Sequence, residues 1–140
     1  AFNLMASAIH NEDNKALVTI GSWCEKSSTD SFGYTNYWSD ECMIKAGNKT
    51  NGIIDFAQFH SYAQDNGHYN EHAPFHQKKE DYNLSVPIVI GEFDEEMGDG
   101  MTSVQQFTYL YGNGFDGSWE WGLEPVANCG GCDGTETCMK

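Results

Sequence analysis

Four short apolar runs divide the chain, and their spacing carries the fold class. They are Ala16 to Ser22 (ALVTIGS), Ile53 to His60 (IIDFAQFH), Pro87 to Glu92 (PIVIGE) and Phe115 to Trp121 (FDGSWEW). The first and third are nearly unbroken Val, Ile and Leu, as expected of parallel strands buried on both faces. The second and fourth mix aromatic with polar residues. Between the runs lie segments with helical periodicity. Ser39-Asp40 is placed to cap a helix running through Glu41 to Ala46, and Gly47 would end it. A longer helix is expected from Met101 to Tyr111, with Val104, Phe107, Leu110 and Tyr111 at helical spacing and Gly112 as a stop. Phe2, Leu4, Met5, Ala8 and Ile9 place the start of the chain inside a helix. Phe75 to Tyr82 shows no clear pattern.

Strand and helix thus alternate at intervals of roughly 30 to 40 residues, the βα rhythm of a parallel sheet. Four such units make half of an eight-stranded barrel, which needs about 250 residues. Four strands alone would leave two open edges and half a core uncovered. The pattern therefore predicts an α/β half-barrel over residues 1–125. Residues 126–140 change character to a Cys-rich tail, with Cys129, Cys132 and Cys138 read as disulfide-forming.

Composition narrows the partners. The 21 Asp and Glu against 7 Lys and Arg disfavour phosphate backbones and anionic membranes, so neither nucleic acid nor membrane is expected as a partner. Acidity of this kind mostly reports solubility, and it does not repel a neutral ligand. Five cysteines and two N-glycosylation sequons, at Asn48 and Asn83, together favour a secreted, extracellular protein. Ala1 to His10 has no signal-peptide pattern, so a signal would have been removed or would lie upstream. The odd cysteine count leaves one thiol without an internal partner.

In parallel barrels the functional residues collect at the C-terminal ends of strands. The four runs end at Ser22-Trp23, His60-Ser61-Tyr62, Glu92 and Trp119-Glu120-Trp121. A carboxylate directly after PIVIG has lost solvent and needs hydrogen-bond partners. Taken alone, a capping or salt-bridged role accounts for Glu92 as well as catalysis does. His60 and Tyr62 alternate on one strand, so both can face the mouth and offer Glu92 a phenolic donor. Trp119 and Trp121 offer flat faces suited to a sugar ring, although plain core packing would also explain them.

The series ALVTIGSW, NYWSDECMIKAG, IIDFAQFHSY, Pro74-Phe75, PIVIGEF and GFDGSWEW resembles the second half of glycoside hydrolase family 5. Within it the chain is most similar to the invertebrate endo-β-1,4-mannanases, from about Ala8 to Trp121. The resemblance implies the C-terminal half, strands five to eight, of a (β/α)₈ TIM barrel. It implies a retaining mechanism in which Glu92 is the nucleophile, Tyr62 hydrogen-bonds it, and His60 contacts sugar hydroxyls or orients a neighbour. Trp121 would stack on the sugar beside the cleaved bond, and Trp23 would line a neighbouring subsite. The expected substrate is a β-1,4-linked polysaccharide, mannan first and glucan second, cleaved without metal or cofactor. The family's acid/base Glu belongs to an Asn-Glu-Pro motif ending strand four, which would lie upstream of Ala1. Asn11-Glu12-Asp13 precedes strand five, at the opposite end of the barrel, and neither Glu120 nor Glu124-Pro125 matches the motif. The acid/base is therefore expected outside this chain, in the missing N-terminal half. A competing expectation follows from that gap: a secreted, non-catalytic glycoprotein derived from such a hydrolase, which binds carbohydrate or joins an assembly.

Three further patterns have simpler readings. His68, His72 and His76 have the spacing of a helical metal face, but Pro74 interrupts it, so a polar loop over the cleft is expected. Asp94, Glu95, Glu96 and Asp99 lack the spacing of a calcium loop and read as a solvated acidic stretch. Cys24 and Cys42 are expected to bridge each other, closing a loop worth about 3 kcal/mol in the chain-entropy model.

Overall fold

The computed structural model describes residues 1–62, 64–65, 68–96 and 98–121. Three helices, α1 (Phe2–Glu12), α2 (Asp40–Gly47) and α3 (Ser103–Gly112), alternate with strands of one sheet. The sheet holds β1 (Gly21–Ser22), β2 (Ala57–His60), β5 (Ile88–Glu92) and β6 (Gly117–Ser118), in that order. Every pairing within it is parallel. A separate antiparallel pair, β3 (Gln64–Asp65) with β4 (His68–Tyr69), follows the C-terminal end of β2. The expected four-strand βα half-barrel is therefore what forms.

Local chemistry sets the boundaries. Ser39 caps α2 by accepting from the Cys42 N–H, and Asn48 ends it in the left-handed conformation. Thr102 and Gln105 make a reciprocal capping box that starts α3 two residues later than the periodicity suggests. The segment 75–82, unpatterned in the sequence, forms two short 3-10 turns, Pro74–His76 and Lys79–Tyr82.

The first and last strands are much shorter than their apolar runs. Before Gly21 the chain forms no continuous ladder; one backbone bond, Asp55 N–H to Val18 O at 2.8 Å, and side-chain contacts tie it to the β2 approach. Val18 N–H donates to Asp55 Oδ2 at 2.7 Å, and Thr19 Oγ1 donates to Phe56 O at 2.8 Å. Past Ser118 the chain still follows β5, with Trp119 N–H on Ile90 O at 2.8 Å and Trp121 N–H on Phe93 O at 2.7 Å.

One face of the sheet is dry and the other is open. Ala57, Phe59, Ile88 and Ile90 pack with Phe75, Tyr82, Phe93, Leu110 and Phe115 into the hydrophobic core on the helix side. The alternate positions, Gly21, Gln58, Val89 and Gly117, point to the other face and remain partly or fully exposed. The helices show the same asymmetry. On α1 the buried residues are Asn3, Ala6 and Ser7, while Phe2, Leu4, Met5 and Ile9 are exposed. On α3 Gln106 and Leu110 are buried, while Val104, Phe107 and Tyr111 are exposed. The apolar periodicity located these helices correctly, but much of their apolar surface is left uncovered by the described residues. No described helix is long and apolar enough to cross a membrane.

The expected Cys24–Cys42 bridge does not form, and both thiols are free. Backbone bonds tie that loop instead, notably Tyr37 N–H to Ser27 O at 3.0 Å. Cys129, Cys132, Cys138 and the whole tail lie outside the described residues.

Candidate active site

Glu92 reaches the open face because β5 carries a bulge. Phe59 pairs with Ile90, but the next residue of β2, His60, pairs with Glu92, which leaves Gly91 as the extra residue. Strict alternation from Ile88 and Ile90 would have sent Glu92 toward the helices. The bulge turns it to the face of Gln58 and His60, and Phe93 returns to the core, fully buried. Glycine lets Gln58 pack close against the extra position, since a Cβ on Gly91 would lie 2.0 Å from Gln58 Nε2 and 2.6 Å from its Cγ and Cδ.

Around Glu92 the strand ends supply one donor and one close neighbour. Tyr62 Oη donates to Glu92 Oε2 at 3.1 Å. Burial, then the hydrogen bond and negative charge of Glu92, push the phenol well above its ordinary range, so it stays a donor. His60 Nδ1 lies 3.0 Å from the same oxygen, but its angle makes no hydrogen bond, and this buried nitrogen has no hydrogen-bond partner among the described residues. Glu92 Oε1 has no hydrogen-bond donor among the described residues. The carboxylate keeps 22% of its side-chain surface exposed, so it is shielded yet reachable.

One tryptophan ring stands beside the two rings that touch this carboxylate, and two more tryptophans lie on the chain that follows β5. Trp23, exposed at the end of β1, stands 6.2 Å from the His60 ring and 6.3 Å from the Tyr62 ring. Trp119 and Trp121 are also exposed, and their backbones run beside β5 through the bonds to Ile90 and Phe93. Glu120 alternates with them and binds the Ser103 hydroxyl at the start of α3. A cavity of about 280 Å³ lies elsewhere, beside Trp38 and the first turn of α2, and none of the rim residues lines it.

The remaining candidates separate from this cluster. His72 stacks on Phe32 at 4.2 Å, and His76 bridges Asn70 O at 2.8 Å and Asp99 Oδ2 at 3.0 Å, so the two do not share a metal face. The side chain of His68 lies outside the described residues. Part of the acidic stretch is structural rather than merely solvated: Glu95 accepts from Ser103 N–H at 2.8 Å, and Asp99 pairs with His76. Asn48 and Asn83 are both exposed and both left-handed, which gives each a turn-forming role independent of any glycan.

No family model matches the chain. It is 43% identical over 128 residues to the mannan endo-1,4-β-mannosidase of Cryptopygus antarcticus, covering 91% of this chain and 33% of that protein. It is 41% identical over 125 residues to the corresponding enzyme of Mytilus edulis, covering 89% and 34%. The solved β-1,4-mannanase of Aplysia kurodai superposes with a TM-score of 0.82 at 48% identity, covering 86% of this chain and 34% of that one. Over most of its length the chain is similar to these β-mannanases. It spans about a third of the length of the mannanases it matches. Its fold is the C-terminal half of their (β/α)₈ barrel, as the strand pattern and the resemblance had implied.

Gly91 and Gln58, on which the placement of Glu92 depends, escaped the sequence reading. A glycine inside an apolar strand was the available signal, since glycine there often marks a bulge.

Proposed function

We propose that this chain is the nucleophile-bearing part of a retaining endo-β-1,4-mannanase. The observation that carries the proposal is the asymmetry of Glu92: Tyr62 holds one oxygen, while the other has no hydrogen-bond donor among the described residues and the side chain stays 22% exposed. In this reading Oε1 attacks the anomeric carbon as the glycosidic C–O bond breaks, giving a glycosyl ester that water then hydrolyses. Tyr62 holds the carboxylate aimed. His60, with Nδ1 3.0 Å from Glu92 Oε2, orients the nucleophile or meets a sugar hydroxyl. Trp121 and Trp119 give stacking faces, and Trp23 lines a neighbouring subsite. Mannan is preferred over glucan as substrate because the relatives are named for mannan.

The mechanism needs a second carboxyl roughly 5 to 5.5 Å from the first. Glu120 is turned to α3 and Glu25 is fully buried, so neither fits the part. We assign the acid/base to the remaining half of the barrel, carried upstream or by a partner chain. That part would cover the open sheet face and the exposed apolar residues of α1 and α3. Secretion fits the paired sequons, whose asparagines are both exposed. The intact mass of the native protein tests completeness: a mass well above 15.6 kDa, or a co-purifying chain, is expected. In the complete hydrolase, Glu92→Gln should abolish mannan cleavage with the fold retained. Substantial residual turnover would remove Glu92 from the role.

A further inference from the structure

Two residues past Trp23, the Glu25 side chain is fully buried, and no described lysine, arginine or histidine lies within ion-pair distance of it. Its partner is an amide: Asn70 Nδ2 donates to Oε1 at 3.1 Å and to Oε2 at 3.3 Å. Burying a carboxyl without a cation is costly, so the position needs a reason. Burial pushes Glu25 above the usual carboxyl range, against the opposing effects of its own backbone N–H, Asn70, Lys26 and His72. The phenols of Tyr34 and Tyr82 also feel its charge.

The two residues that this contact joins flank the active-site rim. Asn70 directly follows β4, which pairs with β3, and β3 begins two residues after Tyr62. Asn70 is further fixed by accepting from His72 N–H through Oδ1 at 3.3 Å and by giving its carbonyl to His76 at 2.8 Å. Glu25 therefore links the turn that follows Trp23 to the second leg of the hairpin whose first leg follows Tyr62. Trp23 and Tyr62 themselves stand ring to ring at 6.3 Å.

We propose that Glu25, through Asn70, is a positioning residue that holds Tyr62 and Trp23 in register with Glu92. This rests on the mannanase reading above. Glu25 touches no reacting atom; it acts by tying Asn70, at the end of β4, to the turn after Trp23.

In the complete hydrolase, Glu25→Ala should lower kcat/KM on mannan by at least about tenfold, since misplaced catalytic groups are penalised steeply. Glu25→Gln keeps an acceptor for Asn70 and should recover most of that loss. Asn70→Ala should mimic Glu25→Ala, and the double variant should be no worse than either. A second readout does not require activity. The Ser61 N–H, which donates to Glu92 O at 2.8 Å, should exchange with deuterium faster in Glu25→Ala than in wild type. Variants that melt earlier but keep wild-type kcat, KM and Ser61 exchange per folded molecule would overturn the proposal and leave Glu25 a purely structural residue. If the wild-type protein cleaves no mannan, the functional reading fails, and the exchange comparison alone decides the coupling.

Discussion

Replacing Gly91 with alanine would place a methyl carbon 2.0 Å from Gln58 Nε2 and 2.6 Å from Gln58 Cγ and Cδ. The three nearest atoms all belong to one side chain, so the conflict is local and has two exits. Either Gln58 swings out of its place on the open face, or the β5 bulge shifts and carries Glu92 with it. Overpacking of this kind costs about 2 kcal/mol, within the usual range of 1 to 3. That is roughly a thirtyfold change in a folding equilibrium. The catalytic loss should be larger, because Tyr62 holds Glu92 through one bond of 3.1 Å, and a misplacement of about 1 Å can cost about a hundredfold. Urea unfolding and mannan hydrolysis by the complete hydrolase measure the two effects separately. The decisive comparison adds Gln58→Ala, which removes all three crowding atoms. The double variant should regain stability and much of the activity lost by Gly91→Ala. If Gly91→Ala is silent in both assays, or if Gln58→Ala gives no relief, the bulge does not aim Glu92.

Tyr62→Phe removes a donor to a charged acceptor, worth about 1.5 to 3 kcal/mol, so kcat/KM should fall roughly 10- to 150-fold; an unchanged value would remove Tyr62 from the nucleophile's support. Trp121→Ala should raise KM for mannan, and unchanged kinetics would move the stacking role to another ring. His10 faces two acceptors, Asn51 O at 2.7 Å and Asp55 Oδ2 at 3.0 Å, and these raise its pKa above 6.5. Its stabilising contribution is fully present below pH 6.5 and is lost as pH rises through the higher folded value. The gap in Tm between wild type and His10→Ala should therefore narrow from pH 6 to pH 9; a constant gap contradicts it. Asp116 shows the opposite sign: burial opposes its charge, but Lys79 at 2.6 Å and the Ile88 N–H hold its pKa below 3.8. Lys79→Met should destabilise by no more than about 1 kcal/mol, since both partners meet solvent, and the effect should fade as pH falls below 3.8.

The alternation of Val/Ile runs with capped amphipathic segments was enough to read the parallel sheet, because both signals are local. Ser39, Gly47 and Gly112 marked helix limits for the same reason. The site was legible as a set of strand ends: His60, Tyr62 and Glu92 do converge. What remained hidden was geometry set by pairing register. Strict alternation points Glu92 the wrong way, and only the two-for-one match of Gly91 and Glu92 against His60 corrects it. The Glu25–Asn70 contact spans residues far apart in the chain, and no local pattern announces a buried carboxyl with an amide partner. The Cys24–Cys42 pairing failed because spacing in sequence does not fix side-chain direction.

The central claim is that Glu92 forms a covalent bond to the sugar, and covalent trapping tests it directly. The complete hydrolase would be treated with a 2-deoxy-2-fluoro-β-mannosyl substrate carrying an activated leaving group, digested, and its peptides sequenced by mass spectrometry. The expected result is one fluoromannosyl ester, on Glu92, in the peptide containing Ile88–Glu92. An ester on Glu120 or any other carboxylate, or inversion of anomeric configuration in the product, would contradict the account.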